Sequence, residues 1–405
     1  MRHSAAALAS VILAVSVFGC ASPLAPPTLM PAETAVALTL QAIVAAATPL
    51  PSDTAAPLPT AVPNILPRKL YFRNRDGAGI MQLFSLGVDG TTVTQVTFEP
   101  LNVDAYDVAP IDGSIAFVSN NQLYLVDAAG AGRRLLIDGG PIDPANPWAN
   151  SISAPAWSPD GRTLAYGHGG LNLMEPATAV VNRVLQNQID TSAGFAIVKE
   201  IYAPAAYSAD GTRLLITIGY YESGTFGIYH PSNNALVRFQ REDGGIVCCR
   251  VSWLPDGSGA YIASSTIGMF ESGLYHADAA TGAVTPLLPG AAPDGTYNFA
   301  DAAEVGPDNR LYFLFNNLSQ IPNDDHTPLY IVRSAPDGST DRTQLLPDAF
   351  ENINEVLWAP DASVLILAIA AGPDAYAGGE ARLIYLDGRP SMALLPVAED
   401  LRWGQ

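Results

Sequence analysis

Ten side chains of types that bind or react stand in short, dissimilar polar stretches of this sequence. They are Asp104 and Tyr106 in "NVDAYD", Trp148 and Asn150 in "PANPWANS", Tyr202, Arg250 after "REDGGIVCC", Tyr297 and Asp301 in "GTYNFAD", Glu355 in "ENINE", and Asp400. Aromatic rings beside carboxylates and amides hold a sugar, a peptide or a cationic group by stacking and directed hydrogen bonds. Asp301, Glu355 or Asp400, with Arg250 as an anion partner, is the set an acid–base reaction would use. Tyrosine and tryptophan also simply fill cores, so each aromatic has a packing role as its alternative. Cys248 and Cys249 are adjacent; in an oxidising compartment they can join only by distorting the peptide between them, which makes a vicinal disulfide labile or functional, and two buried thiols or a strained but inert bridge are the other readings. Asp324, Asp325 and His326 are the weak metal candidates, with no second ligand cluster at a usable spacing, so no metal is expected. The sequence has no H-E-x-x-H, paired C-x-x-C, phosphate-cradling loop or G-x-S-x-G, and no cofactor is expected.

What positions these residues is a repeat. "APAWSPDGRTLAYG" from Ala154 returns as "APAAYSADGTRLLI" from Ala203, "CRVSWLPDGSGAYI" from Cys249 and "NEVLWAPDASVLIL" from Asn354. The aspartates of its turn, Asp112, Asp160, Asp210, Asp256, Asp308 and Asp361, are separated by 48, 50, 46, 52 and 53 residues, a spacing that marks propeller blades. Each unit reads as a strand, an Asp-Gly turn and three further strands. The aspartate accepts backbone N–H groups and the glycine takes a positive φ, so these carboxylates are turn formers and not reactive groups. Third strands carry a recurring tyrosine at Tyr124, Tyr229, Tyr275, Tyr330 and Tyr385, bulk that suits packing between stacked sheets.

Four of the five tryptophans, Trp157, Trp253, Trp358 and Trp403, stand just before the turn. "DLRWGQ" is therefore a first strand with no later strands, and "KLYFRNRDG", "IMQLFSLGVDG" and "TTVTQVTF" are later strands with no first. Joined, they complete one unit, which predicts an all-β, seven-bladed β-propeller closed by pairing of N- and C-terminal strands, with six or eight blades open if the weak units around Asp112 and Asp308 are misjudged. The W-S-P-D-G turn followed by L-A-Y resembles the TolB-type, WD-repeat-like β-propeller repeat over about 300 residues. TolB-type proteins carry an α/β domain ahead of the propeller where this sequence has a proline-rich stretch, so the family's role in an envelope complex does not transfer. In such a ring the first strands line a channel, the repeated turns share one face, and the unlike loops that carry the ten candidates share the other.

Arg2 and His3 precede an apolar run from Ala5 to Phe18 and then Gly19-Cys20, which resembles a bacterial lipoprotein signal in which Cys20 becomes the lipidated first residue. Residues 1–19 are thus read as signal peptide, 20–67 as a Pro/Ala/Thr-rich tether, and 68–405 as the propeller. The implied location is extracytoplasmic, lipid-anchored to the bacterial membrane or envelope. A formal charge of −19 disfavours nucleic acid. These readings combine into a monomeric, envelope-tethered binding module that recognises an envelope protein, a peptide or a glycan through the loop face around the channel. The alternative is an extracytoplasmic enzyme with a carboxylate site in the channel, and a third class is a purely structural surface protein with no small ligand. Convergent carboxylates of raised pKa at the channel mouth would favour the enzyme; a broad exposed aromatic surface would favour a partner.

Overall fold

The computed structural model describes residues 64–192, 194–242, 250–266, 271–322 and 327–405. Cys20, Cys248, Cys249, Asp324, Asp325, His326, the signal sequence and most of the tether lie outside the described residues. Apart from one short 3-10 turn at Pro147–Ala149, the regular structure is β-strand.

Hydrogen bonding sorts the described strands into six sheets; with the seven-stranded one read as two arrays that share its C-terminal strand, they form successive, mainly antiparallel four-stranded arrays, numbered below from the N-terminus, with Gln188–Asp190 and Gln240–Arg241 as an added edge strand on the fourth and the fifth. The second is Val103–Val108, Ile115–Ser119, Gln122–Val126 and Arg134–Asp138; the third is Ile152–Trp157, Leu164–His168, Gly170–Glu175 and Val180–Gln186. The fourth comprises Ile197–Tyr207, Leu214–Gly219, Gly224–His230 and Ala235–Arg238, and the fifth Arg250–Trp253, Gly259–Ser264, Gly273–Asp278 and Ala283–Pro289. The sixth comprises Tyr297–Val305, Leu311–Leu318, Leu329–Ser334 and Thr343–Phe350. Ile353–Trp358, Val364–Ile369 and Gly379–Tyr385 begin the seventh, and the long strand Met392–Trp403 completes it before crossing into the first. There Leu70 pairs with Trp403 and Tyr71 with Arg402, so the C-terminal strand lies inside Leu70–Arg75, Met81–Leu86 and Val93–Gln95. The two half-units read from the sequence are one sheet.

Burial follows position in the array. Ile115–Ser119 and Gly259–Ser264 are buried at every residue, because both faces of a second strand meet neighbouring sheets. Outer strands such as Val180–Gln186 are largely exposed. Among the described residues seven apolar clusters each join two consecutive arrays, including the seventh to the first through Leu70, Phe72, Ile366 and Leu401. A row of sheets coupled in this way, with its last member bonded to its first, is a β-propeller. The recurring tyrosines Tyr229 and Tyr275 are fully buried in these junctions.

The turn aspartates behave uniformly. Asp112, Asp160, Asp210, Asp256, Asp308 and Asp361 each accept the N–H two residues later. Where the third residue of the turn is not glycine, Asn309 and Ala362 take the positive φ instead. Indole N–H groups then link arrays: Trp253 donates to the Ala206 carbonyl, Trp358 to Ala302 and Trp403 to Trp358.

The first strands are not regular. Register shifts interrupt them at Val103/Ala105, Ser153/Ala156, Pro204/Ala206, Asp301/Glu304 and Ile353/Glu355, with positive φ at Ala154, Ala302 and Asp400. A bulge unpairs a residue and turns the following side chains, so it sets what each array presents to the channel. One boundary shifts from the sequence reading: Ile65 and Leu66 both donate N–H to the Val88 carbonyl, and Leu66 is buried against the closing junction. The folded body takes in these two residues of the 20–67 segment because an apolar side chain beside an open core is held there whatever prolines precede it.

Candidate functional site

Most of the predicted polar residues around the channel hold the ring together. Glu355 accepts the N–H groups of Asp400 and Leu401, so the seventh array fastens the closing strand. Tyr106 is buried and donates its hydroxyl to the Asp400 carbonyl at 2.5 Å; burial and the neighbouring Asp400 raise its pKa well above that of free tyrosine. Asp400 pairs with Arg402 at 2.9 Å, and Arg73 pairs with Glu399 at 3.1 Å while reaching the carbonyls of Val103 and Asp104. Asp104 itself is exposed at the loop side, its carboxyl pushed up by partial burial and pulled back by Arg73.

Across the ring, Arg250 bonds Asp301 at 2.7 Å and donates to the Asn354 carbonyl at 2.5 Å, spanning the fifth, sixth and seventh arrays. Burial raises the Asp301 carboxyl against the opposing pull of Arg250. Asn150 donates to the carbonyls of Gly139 and Pro141, fixing the loop ahead of the third array. Tyr297 starts the sixth array's first strand, half-buried beside the seventh.

Trp148 and Tyr202 come together elsewhere. With Ile201, Ile218 and Phe226 they line a cleft of about 520 Å³ between the third and fourth arrays, open to the loop face. Its polar edge is Ser151, Ser153, His168, Thr217 and Thr225. Burial, with Arg183 nearby, lowers the His168 pKa, which keeps its ring neutral at pH 7. Tyr202 donates to Glu200 and receives Gln188, and burial followed by Glu200 pushes it to about 12. Asn187 fixes the floor by accepting the Tyr202 N–H and donating to the Trp148 carbonyl. Glycines open the space: a Cβ on Gly219 would lie 2.9 Å from Ile201, and one on Gly167 2.5 Å from Ser153. The lining carries no carboxylate, ammonium or guanidinium. A neutral, mostly apolar group with one hydrogen-bonding edge suits it.

The loop face also carries exposed aromatic rings. Among the described residues the strongly exposed rings are Phe98 (77%), Phe195 (57%), Tyr221 (63%) and Tyr376 (75%). All four lie in second-to-third or fourth-to-first connections, so topology puts them on the loop face. Tyr221 sits between Gly219 and Gly224 of the cleft wall.

No family model and no curated protein matches the chain. Solved structures do. A manganese complex of oligogalacturonate lyase superposes with a TM-score of 0.52 at 12% identity, over 82% of this chain and 86% of that one. The fold is a β-propeller. A puromycin-hydrolyzing peptidase of Mycobacterium tuberculosis gives 0.53 at 14% identity, over 83% of this chain, which spans 52% of that enzyme. TolB from Acinetobacter baumannii gives 0.42 at 17% identity, over 80% and 77% of the two chains.

Two carboxylates of this propeller are absent from the sequence-derived set. Asp107 is raised to about 6 by burial, with Arg402 and the Trp157 N–H it accepts pulling the other way. Glu304 is raised to about 7 by burial alone. Both occupy the position just before the aromatic or valine of the turn motif. The other arrays place Ala156, Ala206, Ser252, Leu357 and Arg402 there, so an acid among mostly small or apolar equivalents was the available signal.

The Glu304 shift has a measurable sign. Its folded pKa lies above that of the unfolded chain, so the folded state binds the proton more tightly. The stabilising contribution is complete below about pH 4 and disappears as pH rises through about 7. Glu304→Gln is expected to stabilise the protein by about 1–2 kcal/mol near pH 8, a value discounted for water reaching the side chain, and to change little near pH 5. Urea unfolding at the two pH values tests this; an equal effect at both would contradict it.

Proposed function

We propose that this propeller is a protein-binding module whose loop face holds a partner polypeptide, with the cleft between the third and fourth arrays receiving one apolar or aromatic side chain of that partner. The observation that carries this reading is the concentration of exposed aromatic rings on the face into which an uncharged, largely apolar cleft opens. An exposed apolar surface of this kind is costly unless something covers it, and an anchor side chain in a preformed pocket ringed by aromatic contacts is how protein interfaces concentrate their affinity. The carboxylates of raised pKa support the enzyme alternative less well. Asp107 and Glu304 belong to the second and sixth arrays, and neither is among the charges that shift the other. No described helix is long and apolar enough to cross a membrane. The lipoprotein-like signal ending in Cys20 supports an extracytoplasmic, envelope-tethered placement, where the partner would be an envelope protein or a peptide.

Selection of a random displayed-peptide library on the full chain is expected to enrich sequences with a shared Phe, Trp or Leu anchor. Filling the cleft with Ala203→Trp, or removing its wall with Trp148→Ala, is expected to weaken those peptides at least roughly tenfold, about 1.4 kcal/mol or more, with unfolding midpoints unchanged. Enrichment of peptides that bind both variants as well as the parent would overturn the assignment of the cleft.

A further inference from the structure

A second pocket lies in the channel itself. It has a volume of about 400 Å³ and is lined by the first strands of the fifth, sixth and seventh arrays. Val251, Ala303, Val356 and Leu357 supply the apolar half of its lining, and Arg250, Ser252 and Glu304 are its polar side chains. Two of those three are already engaged. Arg250 is charge-matched by Asp301 and bonded to the Asn354 carbonyl, and the Ser252 hydroxyl donates to the Ala303 carbonyl. Glu304 differs, since among the described residues no hydrogen bond or ion pair reaches its carboxylate. The register shift between Asp301 and Glu304 places a bulge immediately before it. A largely buried carboxylate without a partner is costly when charged and is satisfied by a cation that enters beside it.

We propose that this channel pocket binds a small organic cation, an ammonium group on an apolar body, with the Glu304 carboxylate as its counter-ion. The volume falls within the size of small-molecule sites, about 300–1,000 Å³. The apolar walls suit the body of the ligand and Glu304 its head. A formal charge of −19 draws cations towards the protein and opposes anions. A metal ion fits less well: hard cations take about six to eight oxygens, and no group of three His, Cys, Asp or Glu side chains among the described residues is placed to hold one. This site is separate from the cleft and does not depend on the protein-binding reading.

The groups that face Glu304 bear on its charge. Arg250 comes from the fifth array with its Asp301 partner. Tyr312, opposite Glu304 in register, directs its hydroxyl to Asp308. The seventh array offers Val356 and Leu357, its Glu355 being held by the closing strand. Arg250 is the one positive charge among them and is already matched by Asp301.

Benzylamine, a cation throughout that range, and neutral benzyl alcohol of similar shape distinguish ion pairing from cavity filling. By calorimetric titration of the full chain near pH 8, benzylamine is expected to bind at least roughly tenfold more tightly than benzyl alcohol. That preference is expected to vanish in Glu304→Gln and to fall near pH 5. Leu357→Trp, which occupies the pocket and keeps the carboxylate, is expected to abolish binding of both probes. Equal benzylamine affinity in the parent and Glu304→Gln, a preference unchanged by Leu357→Trp, or no saturable binding of benzylamine to the parent would each overturn the proposal.

Discussion

A variant lacking residues 399–405 is expected to lose the cooperative unfolding transition of the parent and to associate. These residues are a small fraction of the chain, yet they form the innermost strand of the first array. Their removal takes away the pairing of Leu70 with Trp403 and Tyr71 with Arg402, the Trp403 bond to Trp358 and the Gly404 bond to Lys69. It also deprives Glu355 of both N–H groups that it holds, Tyr106 of its hydroxyl partner, and Arg73 of two carboxylates. Each buried group left unsatisfied costs about 1–3 kcal/mol, and several are created together, against a typical total stability of about 5–15 kcal/mol. Leu70–Arg75 would become an open strand edge, a template for pairing between chains. Thermal unfolding followed by circular dichroism, with size-exclusion chromatography, tests this. An unchanged midpoint in a monomeric truncated protein would mean that closure of the ring contributes little.

That dependence on the C-terminal strand was legible in the residues. "DLRW" carries the motif's first-strand aromatic, and Leu70 to Phe98 supplies strands lacking one; apolar periodicity and turn chemistry are local signals, and they recur in every array. The turn aspartates were legible for the same reason, since each satisfies an N–H two residues away. Roles that depend on which arrays meet were not legible. Glu355 and Asp400 look like catalytic carboxylates in sequence, but one holds the backbone of the other's strand across the closing junction. Tyr106 looks like a ligand-facing ring, but its hydroxyl reaches a carbonyl 294 residues away. Trp148 and Tyr202 were both recognisable as candidates, whereas their convergence on one cleft depends on loop lengths and on small residues such as Gly167 and Gly219. The exposed Phe98, Phe195, Tyr221 and Tyr376 escaped notice because exposure is not written in residue type.

Arg250→Ala is expected to cost about 2–3 kcal/mol near pH 8, below the roughly 3–5 kcal/mol of a fully buried pair because the arginine side chain is 32% exposed while Asp301 is buried. Asp301 is only 6% exposed and its carboxylate bonds the guanidinium at 2.7 Å, so the variant leaves a buried negative charge without its counter-ion. The same substitution removes the donor to Asn354, releasing a link that runs from the fifth array to the seventh. Burial already raises the Asp301 carboxyl, and loss of the arginine raises it further. In the variant the folded state therefore binds a proton that the unfolded chain releases near pH 4, so stability falls as pH rises through the folded pKa and part of the loss is recovered on acidification. Arg250→Lys keeps a charge but not the two-directional fork and is expected to fall between the parent and the alanine variant. If the cost comes from the orphaned carboxylate, Arg250→Ala combined with Asp301→Asn will be more stable near pH 8 than Arg250→Ala alone, a non-additivity that urea unfolding of the four-member cycle measures directly. Additive losses with no pH dependence would instead make the arginine a simple packing element of the channel wall and remove the basis for treating Glu304 as the one carboxylate in its pocket left to a ligand.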